Sequence, residues 1–110
     1  MIHQLRIYEI VDENREAFHE RFRAHAWRIM KKYGFDILAF WETSNEGRTE
    51  FAYLLRWDDR ETLDAAWSAF MADEEWKEIK RVTGEEHGDF VKAISDRVLD
   101  PTDYSPGRIG

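Results

Sequence analysis

The sequence predicts an α+β fold of the ferredoxin-like βαββαβ class, with four antiparallel strands and two helices packed on one face of the sheet. Three observations lead to it. Alternating segments rich in β-branched and aromatic residues occur near both ends and twice in the middle of the chain. Two amphipathic helical stripes separate them, and a short polar turn joins the middle pair. A chain of 110 residues is the size of one domain with room for a real core, so residues 1–110 are expected to form a single domain.

The first strand is IHQLRIYEIV, Ile2 to Val11. One face carries His3, Leu5, Ile7 and Glu9, and the other carries Ile2, Gln4, Arg6, Tyr8 and Ile10, so neither face looks simply solvated. DENREAFHERFRAHAWRIMKKYG is the first helix. Asp12 or Asn14 can cap it, and Lys31, Lys32 and Gly34 close it. Phe18, Phe22, Ala26, Ile29 and Tyr33 form its apolar stripe. At about 100° per residue His25 is expected near the centre of that stripe and Trp27 nearly opposite, exposed unless a partner covers it.

FDILAFWET and TEFAYLLRW read as a hairpin around the polar turn SNEGR. Asp58 or Asp59 caps the second helix, RETLDAAWSAFMA, whose stripe is Leu63, Trp67, Phe70 and Met71 with Ala66 alongside. DEEWKEIKRV restarts helically from Asp73, with Trp76 and Ile79 turned inward. Gly84 and Gly88 are expected to bracket a loop, although residues near Glu85 can extend the helix, and DFVKAISDRVL is the last strand. The open sheet face is partly apolar, and self-association through it is the economical way to cover it.

Composition narrows the functional classes. A net charge of −7 and interleaved acids and bases argue against nucleic acid as a partner. The absence of cysteine removes disulfides, thiolate metal sites and cysteine catalysis. No segment resembles a signal peptide or a membrane span, so the expectation is a cytoplasmic protein without a membrane partner. His3, His19 and His87 lack the spacing of a zinc site, and the carboxylates lack that of a calcium loop, so no metal is expected. P-loop, dinucleotide and nucleophile-elbow motifs are absent.

The landmarks LRIYEI, the helix ending at Gly34, Trp41 on the second strand, YLLRWDDRE running into a helix, DEEW after that helix, and the closing LDPTDYSPGRI together resemble the NIPSNAP family. The resemblance spans nearly the whole chain. It implies a homodimer in which two four-stranded sheets meet as a dimeric α/β barrel. It also places the chain near small antibiotic-biosynthesis monooxygenases and haem-handling proteins. It implies little about chemistry, because these landmarks are mostly apolar or helix-capping residues.

Several residues carry candidate chemistry. His25, mid-stripe, reads as a general acid or base, as a haem ligand, or as a satisfied core histidine. No second ligand accompanies it and the acidic chain does not favour haem propionates, so no cofactor is expected. Arg6 and Tyr8 share a strand face with Gln4 and can orient an oxygenated ligand or form a polar network at a dimer seam. Arg56 reads as an anchor for a carboxylate or enolate, or as half of an ion pair. Trp57, on the same face as Tyr53, reads as a stacking wall or as core. Trp41, Trp57, Trp67 and Trp76 fall on inward faces or element ends, where they line an aromatic pocket or fill the core. The acid pairs Asp58–Asp59 and Glu74–Glu75 are helix caps, and Tyr104 is expected to tuck the tail onto the body or a neighbouring subunit.

Two functional readings follow. One is a cofactor-free enzyme (an oxygenase, isomerase or lyase) acting on an aromatic or polyketide-like small molecule. In it His25 is the acid/base, Arg6 or Arg56 steadies an oxyanion, and Tyr8, Trp41, Tyr53, Trp57 and Trp67 form the pocket. The other is a non-catalytic ligand-binding or protein-interaction module, dimeric, with its aromatics in core and interface.

Overall fold

Strand β1 (Ile2–Ile10) forms the centre of a sheet that the rest of the chain builds around it. In the computed structural model, which describes residues 1–108, the strand order is β2-β3-β1-β4 and every pairing is antiparallel. β2 (Asp36–Asn45) and β3 (Arg48–Trp57) form the predicted hairpin, and β4 (Val91–Leu99) is the opposite edge. This is the predicted ferredoxin-like order.

The alternation of β1 and β3 sorts their side chains cleanly. Gln4, Tyr8 and Ile10 from β1 and Phe51, Tyr53, Leu55 and Trp57 from β3 are buried beneath the helices. His3, Leu5 and Ile7, with Ala52, Leu54 and Arg56, face the open side. The hairpin turns on Glu46 and Gly47, both at positive φ (51° and 76°), the geometry of a two-residue primed turn.

The first helix is one rod in three parts: α1 (Arg15–Arg21), a π turn (Phe22–Ala26) and α2 (Trp27–Lys32). The Trp27 N–H bonds back to the Phe22 carbonyl across the wider turn. That turn corrects three expectations. From its last residue onward the buried positions are Ala26, Ile29 and Met30, while Tyr33 is only half-buried. His25 is carried to the flank, where its Nδ1 lies 3.2 Å from an Arg28 nitrogen. Trp27 is 39% exposed, and instead of lying opposite the sheet it rests edge-on against Phe40, ring centres 5.2 Å apart.

Neither Asp12 nor Asn14 caps α1 through its side chain. The Asn14 amide instead donates to the carbonyls of His87 and Asp89, tying the helix start to the entry of β4. Asp59, not Asp58, caps α3 (Arg60–Met71), accepting the Thr62 N–H at 2.8 Å. Leu63, Ala66 and Phe70 of the predicted stripe are buried, but Met71 is 48% exposed. α4 (Glu74–His87) runs straight through Gly84, so the expected loop shrinks to Gly88, whose φ of 79° ends the helix. Tyr104 is 83% exposed and does not tuck onto this chain's body, and Ile109 of the family-like tail lies outside the described residues.

Asp73 starts α4 as predicted, accepting the Trp76 N–H at 2.8 Å, and it also accepts from the Tyr33 hydroxyl at 2.6 Å and Lys32 Nζ at 3.2 Å. These bonds, Tyr33's foremost and the Trp76 amide's next, hold its carboxyl down to about 2 against the usual 3.8. A depressed folded-state value means that folding favours the carboxylate. The stabilisation is therefore present above pH 3.8 and drains away as pH falls through about 2. Asp73→Ala is expected to lower the thermal midpoint at neutral pH, with the gap to wild type narrowing across that acid window. A gap in differential scanning calorimetry that is constant with pH would contradict this assignment.

Candidate functional site

The side of β1 beneath the helices presents polar groups where a core would ordinarily be apolar. Arg6 pairs across the ladders with Tyr53 on β3 and Asp96 on β4, while Gln4 pairs with Leu55 and Val98. Gln4 is 1% exposed. Its Oε1 accepts the indole N–H groups of Trp57 at 3.0 Å and Trp67 at 2.8 Å, and its Nε2 donates to Asp96 Oδ1 at 2.9 Å. Asp96 in turn pairs with Arg6 at 3.1 Å. Arg6 lies over the Trp67 ring at 4.3 Å and donates to the Tyr8 hydroxyl at 3.2 Å, which shares a 2.6 Å hydrogen bond with Tyr53. Burial, and then the neighbouring Tyr8, push the Tyr53 phenol well above its usual range, so it remains a neutral hydrogen-bonding group.

Arg6 and Tyr8 open into a cavity of about 200 Å³ between the helices and the β4 side of the sheet. Its apolar walls include Phe22, Trp67, Phe70 and Trp76, and its other polar groups are Arg21 and Lys80. A shallower groove of about 180 Å³ lies on the β2 side, walled by Phe22, Trp27, Phe40 and Phe51 with His19 and Arg23 at its rim. Phe22, in the π turn, lines both. His19 already shares a Glu42 carboxylate with Arg15, at 3.3 and 2.7 Å, which leaves the groove without an unengaged polar group of comparable placement. The Arg6 cavity is the better candidate site.

The residues singled out in the sequence divide between the two sides of the sheet. Arg6, Tyr8 and Trp67 line the cavity; Tyr53 and Trp57 stand behind it, fixed to Tyr8 and Gln4. Trp41 pairs with Ala52 and so lies on the open face, 51% exposed, which corrects the expectation of an inward position. The cause is a bulge between Ile37 and Ala39, which lets Ile37 and Phe40 both pair with helix-side residues of β3 and turns Trp41 outward. Arg56 is also on the open face, held by Asp36 at 2.9 Å, at the edge of a separate cavity of about 380 Å³ that His3, Leu54 and Leu99 also line. His25 lines neither cavity; its neighbour Arg28 pairs with Glu75 at 2.7 Å. Asp96, Arg21 and Lys80 were not anticipated. For Lys80 a signal existed, since it falls one helical turn after the inward-facing Trp76.

Among the described residues, no group of three or more His, Asp or Glu side chains is placed to hold a metal ion, and no helix is long and apolar enough to cross a membrane.

The NIPSNAP family matches residues 3–106. The chain belongs to that family. Solved NIPSNAP structures share its fold. A NIPSNAP family protein of Agrobacterium tumefaciens is similar with a TM-score of 0.81 at 17% identity, covering 97% of this chain and 98% of its own. A NIPSNAP-like domain protein of Burkholderia xenovorans gives 0.78 at 19%, covering 96% and 88%. Similarity extends more distantly to an antibiotic biosynthesis monooxygenase, with a TM-score of 0.56 at 16% identity and coverage of 93% and 99%. At these identities the likeness establishes the fold alone. No curated protein matches the sequence.

Within this NIPSNAP chain the Gln4 amide fixes both indoles and Asp96. Gln4→Leu leaves the buried Trp57 N–H without its acceptor and is expected to cost about 1–3 kcal/mol, read by urea denaturation. A loss below about 0.5 kcal/mol would show that the indoles find other acceptors and that the network does not depend on Gln4.

Proposed function

We propose that the protein binds a small apolar or aromatic molecule in the cavity between helices and sheet, with an oxygen of that molecule directed to Arg6 and Tyr8. The carrying observation is the arrangement of these two side chains. A guanidinium and a phenol, 3.2 Å apart, border a cavity whose other walls are apolar apart from Arg21 and Lys80, and are braced from behind by Asp96 and Tyr53. Braced donors of this kind hold a ligand oxygen without having to reorganise on binding. A volume of about 200 Å³ suits one or two rings and little more.

Titration with a panel of mono- and bicyclic aromatic alcohols, amides and acids, read by calorimetry, tests this. Tyr8→Phe is expected to weaken binding of oxygenated ligands by about fivefold, the worth of one hydrogen bond, and to leave the fully apolar parents unaffected. If no member of the panel binds, the reading is wrong.

A second reading, favoured by the same pair, is catalysis without a cofactor on an aromatic or polyketide-like molecule. Donors fixed on a carbonyl oxygen stabilise the charge that develops there when an enolate forms, the electrostatic contribution that isomerases and lyases use. The acid–base role then falls to Tyr8, because His25 lies outside the cavity. The two readings separate in Tyr8→Phe, which in the catalytic case lowers turnover by about 10²–10⁴-fold while leaving most of the affinity.

The open face supports pairing of two copies. Leu5, Ile7 and Leu54 lie there half-buried with no helix over them, and Trp41 stands half exposed at its β2 side. His3 Nε2, on the same face, is buried and makes no hydrogen bond within the chain. Sedimentation is expected to give twice the chain mass of 13.2 kDa, and Trp41→Glu is expected to shift the population to monomer. A wild type that sediments as a monomer at high micromolar concentration would exclude the pairing.

A further inference from the structure

The surface chemistry of this chain is dominated by ion pairs. Eleven of the sixteen Lys and Arg side chains make one among the described residues. The five that do not are Arg21, Lys31, Lys80, Arg97 and Arg108. Lys31, Arg97 and Arg108 are exposed, where water solvates the charge. Arg21 and Lys80 are half-buried, and both line the Arg6 cavity.

The two come from facing elements, Arg21 from the last residue of α1 and Lys80 from the middle of α4. Arg21 lies over Phe90 at 4.1 Å and near Trp76 at 5.4 Å, with the Thr83 hydroxyl as its one side-chain acceptor, at 3.1 Å. That hydroxyl is itself oriented by donating to the Ile79 carbonyl at 2.8 Å. Lys80 Nζ sits 5.7 Å from the Trp76 ring centre. Burial lowers the pKa of both groups, and the charge of Arg21 lowers that of Lys80 further. Two partly desolvated cations set against each other, in a chain with 23 acidic residues, mark a place where negative charge is wanted and the protein supplies none.

We infer that Arg21 and Lys80 form an anion clamp, and that the molecule taken by the cavity is an aromatic carboxylate whose carboxylate lies between them. The inference rests on the cavity reading proposed above and adds the charge of the ligand to it. Arg21 and Lys80 both reach the cavity beside Trp76, whereas Arg6 lies against Trp67. A ligand that fills the space therefore presents its carboxylate to Arg21 and Lys80 and any second oxygen to Arg6. A planar carboxylate suits one guanidinium edge plus one amine, each free to donate.

The test compares 2-naphthoate with 2-naphthamide, which have the same shape and differ in charge, by isothermal titration calorimetry on the full-length wild type, Lys80→Met and Arg21→Gln. Wild type is expected to bind the naphthoate about tenfold or more tightly than the amide, the worth of a charge-assisted hydrogen bond. Each variant is expected to lose most of that preference while keeping its affinity for the amide. Arg21→Gln retains a donor for Thr83, so it remains informative should Lys80→Met fail to fold. The ligand-free variants supply a readout that a merely structural role would not give. Removing an unpaired, partly buried charge is expected to leave the thermal midpoint unchanged or raise it, the pattern of a site held at some cost to stability. Equal binding of acid and amide by wild type, or a preference that survives in both variants, would overturn the clamp and leave the cavity reading intact. Binding of neither compound would overturn both.

Discussion

Gln4 sits at the centre of the sheet, 1% exposed, and its side-chain amide reaches three separate elements: Trp57 on β3, Trp67 on α3 and Asp96 on β4. Much of the candidate site depends on those three bonds. Trp67, fixed through its indole nitrogen, becomes a flat wall for the Arg6 guanidinium. Asp96, fixed by the amide nitrogen, keeps an oxygen for the same guanidinium, and Arg6 then aligns Tyr8. Few side chains can fill this position. An aliphatic group would leave two indole donors unmet, and a carboxylate would stand beside Asp96 with no proton to share. The amide offers an acceptor to the indoles and a donor to the acid at once. A buried network of this kind fixes geometry well only when its members are satisfied, and here the one buried polar atom of the cavity-facing set without a partner is Arg6 Nε.

Period-2 and period-3.6 patterns carried most of the fold. β1 and β3 are regular, their alternation is unbroken, and the residues predicted to share a face do share one. The two displaced site candidates, His25 and Trp41, each follow from a single extra residue. The π turn at Phe22–Ala26 widens one helical turn, and the bulge between Ile37 and Ala39 adds a residue to one strand. Neither leaves a mark in a hydrophobic pattern, because the local residues suit either geometry and the difference is decided by what they pack against. Each nonetheless moves a candidate residue out of the site: His25 to a helix flank beside Arg28, and Trp41 to the open face.

The site was legible from one strand and not beyond it. Arg6 and Tyr8 announced themselves because polar groups on an otherwise buried strand face need an explanation, and Trp67 because it lies on the stripe of α3. Asp96 is 90 residues from Arg6 in the chain and becomes its partner only because β4 lands beside β1. Arg21 and Lys80 lie on different helices, and in sequence each is one cation among many in a charged helix. Their meaning depends on what they lack, and a missing partner is visible only when the neighbours are known.

Arg6 and Arg56 show how much surroundings matter. Both are arginines on adjacent strands of one sheet, and both were candidates for holding an anion. Arg56 faces outward, 34% exposed, and Asp36 across the hairpin answers its charge. Arg6 faces the helices at 15% exposure, and its pairing with Asp96 leaves it over the Trp67 ring and bonded to Tyr8. The acid surplus of the chain falls on the outer surface, where the ion pairs are largely solvated, while the cavity collects Arg6, Arg21 and Lys80 and no acid in its lining. A net charge of −7 opposes the approach of an anion from a distance, but at physiological salt that opposition fades beyond about 8 Å. Selectivity for an anion in such a protein is then a short-range property, set by three cations held around one apolar cavity rather than by the field of the whole molecule.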